Sequence, residues 1–86
     1  MNINELIAIV KKKIEKNINV EKILVEDKTY LHKNHPGHEI NKFHLKITVY
    51  SQKLKQMNKI ESNKKIYKIL ADELKDYIHS LQILIQ

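Results

Sequence analysis

Cysteine, arginine and tryptophan are missing from this chain, and glycine, proline and phenylalanine occur once each. Without cysteine there is no disulfide, no thiol nucleophile and no metal site made of the chain's own thiolates; an iron–sulfur cluster binds only if sulfur comes from elsewhere. Without arginine, the positive charge resides in 16 lysines, set against 10 acidic residues for a net charge of +6. Ammonium groups attract phosphate but copy poorly the bidentate guanidinium contacts that read bases. The lysines are spread along the chain, so a solvated surface accounts for them as well as a polyanionic partner does. One glycine leaves no phosphate-cradling loop and no GxxG clamp for single-stranded nucleic acid. No apolar run approaches the roughly 20 residues of a membrane span, and the N-terminus has neither a secretory h-region nor an Arg-rich transit pattern. A cytoplasmic protein with no membrane partner is expected.

What is present is a globular composition, 42% hydrophobic and 30% charged over 86 residues. That length suits one domain over residues 1–86. A domain this small buries only about 60–70% of its unfolded surface, so an enclosed active site competes with the core for residues. Catalytic arrangements are thin. Ser51, Ser62 and Ser80 lack an elbow or glycine context, and Asp72 and Glu73, adjacent on a helix, point to different faces. A binding protein, not an enzyme, is the expectation.

Ile3, Leu6, Ile7, Val10 and Ile14 fall on one face of a helix over residues 3–16, opened by the capping pair Asn2 and Glu5. Asn17 and Asn19 then suit a left-handed turn, and the β-branched residues of 20–27 suit a strand. Residues 29–41, with the only Pro and Gly, read as a loop. Phe43, Leu45, Ile47 and Val49 alternate with His44, Lys46, Thr48 and Tyr50, which marks a half-buried strand. Residues 52–57 read as a polar connection. A second helix opens with Asn58 and Glu61 and carries an apolar stripe of Ile60, Tyr67, Leu70 and Leu74, supported by Ile66 and Ile69. The last segment alternates again, with His79, Leu81, Ile83 and Ile85 sharing one side. The order α-β-β-α-β predicts an α+β fold: a three-stranded sheet with both helices on one face.

Histidine is the residue type that bears most on function. His32, His35 and His38 recur every third position in the loop, and neutral imidazoles ligate intermediate and soft metals. On spacing alone they fit a solvated polar loop better than a metal site, since no Cys pair or HExxH pattern completes one. His79, at the mouth of a strand, fits either a ligand or a core-edge residue bonded to a backbone carbonyl. His44 reads as ordinary surface. Lys59, Lys64, Lys65 and Lys68 give the second helix a basic side, either a solvated face or a nucleic-acid contact.

The strand over 43–50 followed by Ser51, the helix Ile66-Tyr67-Lys68-Ile69-Leu70-Ala71-Asp72-Glu73-Leu74, and above all Ile78-His79-Ser80-Leu81 resemble the BolA family. The likeness runs over residues 5–85 and implies a fold similar to the type II KH domain. It also implies a partnership with a monothiol glutaredoxin around a shared [2Fe–2S] cluster, in iron–sulfur assembly or iron regulation. His79 sits on the family's characteristic histidine, and His32 matches the loop histidine that gives a second ligand, with His35 and His38 as alternatives. His44 matches a common family residue at the head of its strand. Alone, the chain is expected to be a monomer or a homodimer without a cluster. Where members carry Gly-Lys-Ser and then Arg-His-Arg, this chain has Gln56, Met57 and Asn58, then Ser62, Asn63 and Lys64. That departure weighs against the DNA-binding, transcription-regulating role of some members, which remains the alternative function.

Overall fold

The computed structural model describes residues 1–29 and 42–86. The first helix, α1 (Ile3–Asn17), begins where the sequence marks it: the Asn2 side chain accepts from the Glu5 backbone N–H at 2.8 Å, and the Asn2 amide donates to the Glu5 carboxylate at 2.8 Å. Leu6, Val10 and Ile14 are its fully buried row. The helix ends as Ile18 turns to extended backbone and enters the core, while the Asn17 amide binds the Lys13 carbonyl.

Strands β1 (Lys22–Asp27), β2 (Phe43–Tyr50) and β3 (Ile78–Ile85) form one sheet in the order β1-β2-β3. β1 pairs antiparallel and β3 parallel to the central β2. Leu45, Ile47 and Val49 face α1 and the later helices, and with Leu6, Val10, Ile14, Ile66 and Leu70 they form the core. Both helices thus lie on one face of a three-stranded sheet, as the element order predicts.

Between β2 and β3 the chain departs from the expected outline in three places. The polar connection after β2 contains a short helix, α2 (Gln52–Lys55), which buries Leu54. Ser51 makes this possible: its Oγ accepts from the Leu54 N–H at 3.2 Å and donates to the Asn19 carbonyl at 2.9 Å, so one buried hydroxyl caps a helix and ties down the approach to β1. The second helix is two, α3 (Lys59–Ile69) and α4 (Ala71–Asp76), separated at Leu70, whose φ of −99° and ψ of 18° lie outside the helical range. Its inward row keeps Ile66 and Leu70 of the expected stripe, with Ile69 and Leu74 packed against the core, but not Ile60 or Tyr67. Ile60 is 68% exposed and Tyr67 42%, while Ser62, Ile66, Leu70 and Glu73 are buried.

Polar residues can occupy that row because each finds a partner. Ser62 donates to the Lys59 carbonyl at 3.1 Å, and Glu73 receives the Lys13 ammonium at 2.7 and 2.9 Å, joining α4 to α1. Asp72, beside it, points to solvent, as adjacent helical positions require. The Glu73 hydrogen bond holds the Lys13 ammonium above its ordinary pKa of 10.5. A raised pKa in the folded state contributes stability that is complete below the unfolded value and fades as pH rises through the folded one. Urea midpoints of the native chain are therefore expected to fall more steeply above pH 10.5 than those of Lys13→Met. Equal slopes for the two proteins would refute this.

Candidate histidine site

The site begins with a mismatch in strand register. Phe43 pairs with Ile78, but the next residue of β2, His44, pairs with Ser80, so β3 carries one extra residue, His79. A bulge of this kind turns the side chains on either side of it out of strict alternation. Ile78, which by parity belongs with Ser80 and Gln82, is instead 2% exposed and part of the core. His79, which by parity belongs with Leu81 and Ile83, is released to solvent. The expected sharing of a face between His79 and the apolar residues of β3 is thus undone by the bulge.

His44 is the second correction. It is only 6% exposed, not ordinary surface. Its Nδ1 lies 2.6 Å from the Ser80 Oγ across the two strands, and its ring centroid lies 4.9 Å from that of His79, tilted by 37°. Its backbone is held as well: the N–H donates to Thr29 Oγ1 at 3.1 Å and the carbonyl accepts from the Lys28 N–H at 2.7 Å. Thr29 in turn is fixed by the Asp27 carboxylate, which accepts from both its N–H and its hydroxyl. The result is an exposed imidazole resting against a buried one whose position is set from three sides. Sequence offered one signal for His44, its place at the head of a strand, and none for the bulge that brings His79 to it.

His32, His35 and His38 lie outside the described residues. Among the described residues, no group of three or more His, Cys, Asp or Glu side chains converges on a point that could hold a metal ion. The lysines of the second helix are divided by the fold. Lys64, Lys65 and Lys68 surround a shallow depression with Asn17, Glu61 and Ile69, whereas Lys59 lines a different cleft beside β3. Among the described residues no helix is long and apolar enough to cross a membrane.

This combination, an α+β domain of three strands whose parallel edge strand opens on an outward histidine, defines a small domain with a surface site. The family model described as BolA-like protein matches residues 14–86, and the chain belongs to that family. It is 29% identical over 75 residues to the "DNA-binding transcriptional regulator BolA" of Haemophilus influenzae, an alignment covering 87% of this chain and 70% of the relative. The BolA domain of SufE1 from Arabidopsis thaliana superposes with a TM-score of 0.78 at 26% identity, covering 100% of this chain and 93% of that one. BolA1 from Arabidopsis thaliana shares the fold, with a TM-score of 0.75 at 23% identity over 92% of this chain and 87% of its own.

Proposed function

We propose that this chain is a non-catalytic adaptor that binds a monothiol glutaredoxin and completes with it a shared [2Fe–2S] cluster, serving iron–sulfur assembly or trafficking, or iron regulation. The observation that carries this reading is His79: an exposed imidazole on an extra strand residue, backed by the fixed ring of His44. The donor chemistry fits. Imidazoles replace thiolates on one iron of Rieske-type centres, and a chain without cysteine offers nitrogen and leaves sulfur to a partner. When bound, the cluster supplies a redox-active iron pair whose potential responds to those nitrogen ligands. His79 provides one ligand and His32 the second, with His35 and His38 as alternatives in the same segment. His44 limits where the His79 ring can turn, and Ser80 fixes His44.

Mixing the chain with cluster-loaded monothiol glutaredoxin is expected to give a stable complex on size exclusion and new bands in visible absorption and circular dichroism. An unchanged spectrum with no complex would overturn the reading.

The name of the Haemophilus relative favours a second reading, a nucleic-acid-binding regulator. Lys64, Lys65 and Lys68 would serve it, with Lys59 apart from them across the helix. Salt separates the two: attraction to phosphate alone fades steeply and ignores sequence, while a regulator keeps its preference for one duplex.

A further inference from the structure

The far end of β3 presents a second surface, independent of the cluster reading. The Gln86 N–H donates to the Val49 carbonyl at 2.8 Å and its carbonyl accepts from the Ser51 N–H at 3.3 Å, so Gln86 directs both backbone groups toward β2. In a parallel ladder every second residue does the same, which places the N–H and C=O groups of Leu81, Ile83 and Ile85 on the outer edge. Leu81 is covered there: the Tyr67 hydroxyl reaches down from α3 and donates to its carbonyl at 3.1 Å. Beyond this cover, Ile83, Leu84 and Ile85 form one wall of a cleft of about 350 Å³, with Leu54, Met57 and the start of α3 opposite. Among the described residues no strand pairs with this edge.

Two further features select what fits. Lys55 and Lys59 line the cleft, and among the described residues no acidic side chain does. Asn63 also lines it, and among the described residues nothing donates to its buried Oδ1. A short open strand edge accepts an extended chain through alternating N–H and C=O groups, and an amide acceptor beside it receives one more N–H. We propose that the β3 edge at Ile83 and Ile85 takes up an extended acidic segment of a partner polypeptide as a fourth strand, its carboxylates meeting Lys55 and Lys59. A second copy of this chain is disfavoured as the occupant: its own strand, IHSLQILI, holds no acidic residue, and it would bring another Lys55 and Lys59 to the same place. Nucleic acid would satisfy the lysines but offers no alternating donors and acceptors to match a strand edge.

The test uses the intact, isotope-labelled protein and a short synthetic peptide in which Glu alternates with Thr. The Ile83 and Ile85 amide resonances are expected to shift and their exchange with solvent to slow by about tenfold or more, while His79, roughly 13 Å from Ile83 and about 20 Å from Ile85 along the strand, stays unmoved. Reversing charge with Lys55→Glu and Lys59→Glu should weaken the peptide by about tenfold, since like charges now face each other. Backbone N-methylation in one of the two alternating registers should abolish binding. Unmoved Ile83 and Ile85 resonances, equal binding by a peptide of alternating Lys and Thr, or equal binding by both N-methylated peptides would each overturn the proposal. So would a single-stranded oligonucleotide that shifts the same amides with equal affinity. Peptide-free, concentration-dependent shifts at Ile83 and Ile85 would assign the edge to a second copy and overturn it too. A failed glutaredoxin experiment would leave all these readouts untouched.

Discussion

Replacing Ile47 by alanine is expected to lower the free energy of unfolding by about 2–5 kcal/mol. Ile47 is completely buried on the central strand, opposite Val25 on one side and Ile83 on the other. Truncating it removes apolar contact with both flanking strands and with the helices above, and a sheet held on two sides cannot collapse far to fill the space. Small domains are stable by only about 5–15 kcal/mol, so this one change removes a large part of the total. Urea denaturation should show the midpoint falling with an unchanged slope, because the surface exposed on unfolding is nearly the same. Ile60→Ala is the matched control. Ile60 is 68% exposed, and its loss should change stability by no more than about 0.5 kcal/mol. Equal losses for the two variants would place Ile60 inside the core and refute this.

His79→Ala is expected to separate function from folding. The side chain is exposed, so stability should stay within about 0.5 kcal/mol of the native chain. The new visible absorption and circular dichroism bands formed with cluster-loaded glutaredoxin should nevertheless disappear. His44→Ala should behave in the opposite sense: it empties a buried site and removes the hydrogen bond to Ser80, at a cost of about 0.5–3 kcal/mol. Its complex should still form, with an altered dichroism, because the ring that limits His79 is gone. Native-like spectra from His79→Ala would remove His79 from the ligand set and with it the proposed function.

Residues with local rules were legible in the sequence. Asn2 and Asn58 cap α1 and α3 through the spacing to Glu5 and Glu61, and the alternation of Leu45, Ile47 and Val49 marks the central strand. What escaped depends on partners distant in the chain. Hydrophobicity points to Tyr67 and Ile60 as the inward row of the second helix. It cannot show that Glu73 is buried because Lys13 arrives from α1, or that Tyr67 stays outside because its hydroxyl is engaged at Leu81. Ser51 gave no sign that a polar stretch after it would coil into α2, since half of its hydrogen bonding goes to Asn19, far back in the sequence. The histidine site shows the same division. Residue type singled out His79, but its direction follows from how β3 is seated on β2, which alternation alone cannot reveal.

The extra residue in β3 gives the domain a property that an unbroken ladder lacks. Shortening the chain by one position at Ser80 would let the two strands zip evenly from their first pair onward and keep every element in place. It would leave Ile78 inward, opposite Phe43, and set His79 directly opposite His44 in the place Ser80 holds now. The offset between the two imidazoles is thus a matter of chain arithmetic: a single deletion would press them into one cross-strand pair while keeping the same silhouette, and would change how His79 is held with no change at either histidine.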